Sequence, residues 1–163
     1  MSSSAERAES GVICVEVAGS AYGIPVAEVQ EVLSYRVPTR VFHAPSALAG
    51  ITSLRGEVLP IIDLASLLDA GAETRVEALE PRVVVVRELK GARRRAGLKV
   101  DALLGLREAP AGASPPAPAA IAARLGDLLL GVVHEPAPAF AVLSVEGILN
   151  APALRELAEA AIE

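Results

Sequence analysis

Aromatic residues are scarce in this sequence. Tryptophan is absent, and Tyr22, Tyr35, Phe42 and Phe140 are the only rings apart from two histidines. A base-stacking nucleic-acid platform needs several exposed rings, so that function class is disfavoured. A formal net charge of −5 points the same way, because polyanion binders usually carry net positive charge. Cys14 is the single cysteine, which excludes an intramolecular disulfide and any cysteine-built zinc site. It sits among β-branched residues, where a buried, inert thiol is expected. Long apolar runs are also missing. Val83 to Val86 and Leu128 to Val133 fall far short of the roughly 20 residues that span a bilayer. Met1 to Ser10 is small and polar, without the basic-then-apolar pattern of a secretion signal. A cytoplasmic protein with no direct membrane insertion is expected.

Catalysis has little to stand on. His43 and His134 lie in no metal-ligand spacing and beside no nucleophile motif. Gly50 to Gly56 lacks the lysine and hydroxyl residue of a phosphate loop. Asp63 reads as a helix cap rather than a general base. No catalytic group, metal site or cofactor is expected, and a hydrolase with an unrecognised site is a poor reading. The basic cluster Lys90, Arg93, Arg94 and Arg95 reads as a solvated hairpin tip; its alternative is a small β-barrel nucleic-acid-binding protein.

What is present is aliphatic. Hydrophobic residues make up 52% of the chain and charged residues 21%, enough to bury a core in one compact domain. Val12 to Val17 reads as a strand, Ala18-Gly19-Ser20 as a turn and Ala21 to Pro25 as a second strand. Val26, Val29, Val32 and Leu33 follow at helix-like spacing, which predicts one or two short helical turns. Ile51 to Leu54 and Val58 to Ile62 read as strands joined by a tight hairpin at Arg55-Gly56-Glu57. The second is apolar on both faces, as for a sandwiched strand or one partly reserved for a partner. Pro60 places it at a sheet edge or a bulge. Asp63 would cap a helix from Leu64 to Leu68, stopped by Gly71.

Glu73 to Glu80 reads as a linker. Arg82 to Glu88 and Arg94 to Val100 form a second predicted hairpin about Lys90-Gly91. Glu108 to Ala123 is Pro- and Ala-rich and predicts no regular structure. Leu128 to Val133 and Ala139 to Ser144 are further strands, and Leu154, Leu157 and Ala161 share one face of a tail helix. The segment Gly23 to Val29 weakly echoes Gly97 to Leu103, as two related hairpin-based units would.

The run Gly50-Ile51-Thr52-Ser53-Leu54-Arg55-Gly56-Glu57-Val58-Leu59-Pro60-Ile61-Ile62-Asp63-Leu64 resembles the central signature of the CheW family, with Ser53 where that family commonly has Asn. Tyr22 to Leu33 and Gly97 to Leu103 are similar to two further segments of the family, in the same order, so the resemblance spans roughly Val12 to Leu149. It implies a mainly β fold of two five-stranded SH3-like β-barrel subdomains with short helices and a C-terminal helix. The chain would divide into a flexible 1–10, a single domain over 11–150 and a helix over 151–163. The domain's subdomains would lie at roughly 12–72 and 81–145, with strands possibly exchanged.

The resemblance also implies a non-enzymatic adaptor in chemotaxis signal transduction. Its partners would be the helical cytoplasmic tip of a chemoreceptor and the regulatory domain of the histidine kinase CheA, at membrane-associated receptor arrays. A relative that binds receptors without kinase, in a motility or other chemosensory pathway, is the alternative within the family. Carried over by motif, the binding groove would include Val29, Gly50, Arg55, Val84 and Gly97. Glu31 would hold Arg55 in place, since an arginine amid apolar residues needs a partner. Strand core and strand bend are the competing readings for Val84 and Gly97. The kinase-facing surface is less legible, with Val58 to Ile62 as a contributor.

Overall fold

The computed structural model describes residues 11–68, 80–108, 123, 125–134 and 139–151. Among the described residues, ten strands form two five-stranded sheets. The first orders as β8-β1-β2-β10-β9, from Gly11–Val17 (β1), Ser20–Pro25 (β2), Ala102–Glu108 (β8), Leu129–Val133 (β9) and Phe140–Leu143 (β10). The second orders as β3-β6-β7-β5-β4, from Val29–Ser34 (β3), Leu48–Leu54 (β4), Glu57–Asp63 (β5), Arg82–Arg87 (β6) and Arg95–Val100 (β7). Two short helices, Leu64–Leu67 (α1) and Val145–Leu149 (α2), follow β5 and β10.

Renumbering β1–β5 as β6–β10 converts one sheet order into the other, and the parallel pairs β5·β7 and β10·β2 correspond. The protein is therefore a repeated five-strand unit whose first two strands have crossed into the other unit's sheet. Strands are exchanged between the two halves of the chain: the second sheet is nested within 29–100, and the first combines 11–25 with 102–143. The faint echo between Gly23 and Gly97 marks equivalent positions on β2 and β7, each beside a parallel neighbour, Val142 and Ile61 respectively.

Three apolar clusters follow from strands buried on both faces. The largest lies between the sheets and joins Val15, Val17, Tyr22 and Ile24 to Ile62, Val84, Val86, Leu98, Leu143 and Ile148. Val12, Cys14, Val133, Phe140 and Val142 fill the inside of the first sheet. Leu59, Ile61, Val83 and Val85, with Leu33 and Leu54 against them, fill the inside of the second. Leu33 and Leu54 belong to the two end strands of that sheet, so it curls around its own cluster. The turns Ala18-Gly19 and Arg55-Gly56 have positive φ at both central residues, the two-residue hairpin geometry whose twist suits flanking strands.

Several sequence expectations are corrected. The helical turn after Pro25 is only a 3-10 turn, Val26–Glu28; Val29 and Val32 instead pair with Val86 and Val84 on β6. Stiff, β-branched valines facing another valine strand favour the ladder over an isolated turn of helix. Strand β8 and helix α2 were not foreseen. Pro60 is on an interior strand, but β7 pairs with β5 only from Ile61 onward, so the missing N–H leaves no β7 acceptor unpaired there. The Asp63 carboxylate takes a hydrogen bond from the Ser66 hydroxyl at 3.1 Å rather than capping a backbone N–H. Gly71, most of the 73–80 linker, the Pro- and Ala-rich 109–122, the 1–10 terminus and the 152–163 tail lie outside the described residues.

Candidate functional site

The most constructed surface feature is Arg55. It occupies the β4–β5 turn with φ 51°, and its side chain is 69% exposed. Its two terminal nitrogens donate to both carboxylate oxygens of Glu31 at 2.7 and 3.0 Å. Glu31 lies on β3, at the opposite end of the sheet order, and its side chain is 20% exposed. The fork-to-fork geometry fixes the guanidinium plane while leaving its outer face to solvent. An exposed pair of this kind contributes little to stability, so its orienting effect matters more than its energy.

Register explains how the other residues relate. Gly50, Ile61, Gly97, Val85 and Glu31 form one cross-strand row through β4, β5, β7, β6 and β3. Three of the six proposed residues thus share a row, and Arg55 reaches its end. Gly97 is glycine because a Cβ there would stand 2.6 Å from Val83 Cγ1 and 2.7 Å from Ile61 Cδ1. Val84 points the other way, has no exposed surface and belongs to the core between the sheets. A partner cannot touch it in this conformation. Val29 is half-buried and packs against that same core.

The hairpin cations also divide. Lys90 and Arg93 are exposed, but Arg95 is paired with Glu57, and Arg94, though 41% exposed, lies over the Glu88 carboxylate. The Arg94 guanidinium donates to Glu88 at 2.5 and 2.9 Å, to the Leu149 carbonyl at 3.1 Å and to Asn150 Oδ1 at 2.8 Å. Half of the basic cluster therefore serves ion pairs, which weakens its reading as a polyanion patch. The hydrogen bonds from Arg94 hold the Glu88 carboxyl below the usual glutamate range, against the opposing effect of burial. Burial, then Glu146 and Glu88, pushes nearby Glu28 up. Cys14 is buried and burial raises its thiol, as an inert side chain requires.

Removing Arg94 takes away the hydrogen bonds to Glu88, and because water reaches the pair from Arg94's exposed side, Arg94→Ala is expected to cost about 1 kcal/mol at neutral pH. Because Glu88 titrates low in the folded protein, the pair's stabilisation is present above the ordinary glutamate range and disappears as pH falls through Glu88's lowered value. Urea unfolding of both proteins between neutral and acidic pH checks this: the gap should close on acidification. A constant gap would show that packing, not charge, carries the effect.

Of the doubly apolar strand Val58 to Ile62, only Val58 is uncovered, at 69% exposed, whereas Leu59, Ile61 and Ile62 are buried. Other exposed apolar residues carry no signal in the sequence. Leu104 and Leu106 on β8 and Leu130 on β9 are exposed, and so are Val37 and Phe42 in the loop between β3 and β4. Among the described residues, no group of three or more His, Cys, Asp or Glu could hold a metal, and no helix is long and apolar enough to cross a membrane.

Fold and site together define a mainly β module of two exchanged five-stranded sheets, presenting a carboxylate-held arginine and several uncovered apolar patches. The CheW-like domain profile matches residues 11–153, and the chain belongs to that family. It is 36% identical over 128 residues to Protein FrzA of Myxococcus xanthus, covering 78% of this chain and 76% of that one. It is also 36% identical over 97 residues to Chemotaxis protein CheW of Klebsiella aerogenes, covering 60% of this chain and 55% of that one. The crystal structure of the scaffolding protein TtCheW from Thermoanaerobacter tengcongensis superposes with a TM-score of 0.76 at 21% identity, over 89% of this chain and 95% of that one.

Proposed function

We propose that this chain is a non-enzymatic chemotaxis adaptor that couples the cytoplasmic tip of chemoreceptors to the regulatory domain of the kinase CheA, at membrane-associated receptor arrays. The observation that carries the reading is Arg55: exposed at a hairpin, yet held in a fixed plane by Glu31 from a remote strand. A cation so oriented and left open on one side suits docking, where a pre-set side chain loses little entropy on binding. Membership of the CheW-like domain family supports the same role. Two separate binding faces would raise the kinase's effective concentration at the receptor, an effect of linkage rather than bond-making.

The kinase-facing surface draws on the exposed aliphatics, Val58 on one sheet and Leu104, Leu106 and Leu130 on the other. Within the receptor-facing set, Arg55 and Glu31 supply polar contact. Gly50 and Gly97 shape the backbone, Val29 lines the edge of the core, and Val84 supports from inside.

Arg55→Ala should weaken receptor or kinase coupling by about 2 kcal/mol and leave the thermal midpoint unchanged. Calorimetric titration of the variant with a receptor cytoplasmic fragment and with the kinase regulatory domain measures both arms. Wild-type affinity for both partners would end the assignment of Arg55 as the docking cation.

A further inference from the structure

Gly50 is buried and cannot itself offer a surface. Its φ is 154°, and a Cβ built on it would run into the carbonyl oxygen of Thr39, with Pro38 Cβ 3.0 Å away. Thr39 is clasped there by two backbone bonds to Ile51, donating at 2.9 Å and accepting at 2.8 Å. Gly50 therefore pins the β3–β4 loop onto β4, and the loop is what reaches solvent. Val37 is 86% exposed and Phe42 is 90% exposed, with the Phe42 ring edge-on to His43 at 5.0 Å.

The charge along this stretch of chain is one-sided. Between Glu31 and Glu57 the chain has no acidic residue, although the whole protein carries net −5. Arg36 and Arg40 flank Val37, both exposed. Beneath the loop lies a cleft of about 450 Å³ lined by Arg40, His43, Tyr35, Lys99 and one carboxylate, Asp63, which is already hydrogen-bonded to Ser66. Two exposed large apolar side chains among cations match a partner that alternates apolar and acidic groups.

We propose that the loop over residues 36–43 is a docking surface for an acidic amphipathic helix of the chemoreceptor partner. Val37 and Phe42 pack on its apolar ridge, Arg36 and Arg40 pair with its flanking carboxylates, and Gly50 is a positioning residue that acts through Thr39. The inference rests on the adaptor reading and adds the partner's chemistry to it.

The test titrates a chemoreceptor cytoplasmic fragment from the same organism into full-length protein, comparing wild type with Val37→Ser/Phe42→Ser, Arg36→Glu/Arg40→Glu and Arg55→Ala. Each loop double variant should lower affinity about tenfold at an unchanged thermal midpoint, and the charge-reversed one should lose most of the wild type's salt dependence. Gly50→Ala should also weaken binding and speed amide exchange at Thr39 and Ile51, which a direct-contact role for Gly50 would not do. If Arg55→Ala weakens binding while both loop variants bind like wild type, the loop proposal is overturned and the adaptor reading stands. If none of the variants changes affinity, both fail. Loss of self-association or of anionic-vesicle binding in the loop variants, with receptor affinity intact, would assign the loop to another occupant and equally overturn the proposal.

Discussion

Divided between residues 74 and 75, the protein is expected to yield two fragments that stay unfolded alone and fold when mixed. The first fragment holds β1 to β5, but β1 and β2 belong to one sheet while β4 and β5 belong to the other. Alone, it has two isolated hairpins, and β3 has lost β6, its partner among the described residues. Isolated two-stranded hairpins are marginal in water. The second fragment is in the reciprocal position. The core between the sheets is also split, since Val15, Val17, Ile24 and Ile62 pack against Val84, Leu98, Leu143 and Ile148 from the other fragment. Circular dichroism and urea unfolding of each fragment, and of the equimolar mixture, would show it. The mixture should unfold cooperatively with a midpoint that rises with concentration. A cooperative transition in either fragment by itself would contradict the exchanged-strand account.

Gly147→Ala should be among the most damaging single substitutions. Helix α2 lies against the 3-10 turn Gly126–Leu128, joined by the bond from Ser144 N to the Leu128 carbonyl at 2.8 Å. A Cβ on residue 147 would meet the carbonyl oxygen of Asp127, with Leu128 Cα 3.3 Å off. Main-chain atoms cannot rotate aside as a side chain can, so the cost exceeds ordinary overpacking and reaches about 4 kcal/mol. Alanine's better helix propensity returns about 1 kcal/mol. The net loss of about 3 kcal/mol corresponds to roughly 10 °C in thermal midpoint for a chain of this size. Differential scanning calorimetry reads it directly, and a midpoint within about 2 °C of wild type would mean that α2 moves freely off the turn.

Much of the fold was legible because its signals are local. Val12 to Val17, Arg82 to Val86 and the Arg55-Gly56 turn carry β-branched runs and turn chemistry that declare themselves without a partner. Where the reading failed, two local signals competed. Val26, Val29, Val32 and Leu33 have helical spacing, and only the presence of β6 alongside makes the last three part of a strand. In β8, leucines at 103, 104 and 106 interrupted by Gly105 give no clean alternation. The strand exists because β1 offers it a ladder.

The candidate site shows the same division. Which residue types stand at 29, 31, 50, 55, 84 and 97 is sequence information, and so is the ordered set of motifs that points to the family. That Glu31 and Arg55 meet, that Gly50 and Gly97 share a row with Ile61 between them, and that Val84 faces inward depend on register and on the curl of one sheet.

Composition, short-range pattern and turn residues thus determined by themselves that this would be an aliphatic β protein with an arginine at a tight hairpin. Tertiary structure alone decided which strands exchange between halves, which apolar side chains stay uncovered, and that a glycine at 50 matters through Thr39. The physical reason is range. Propensity and turn preference act over a few residues, whereas exposure and partnership are set by segments far apart in the chain that meet only once it has folded.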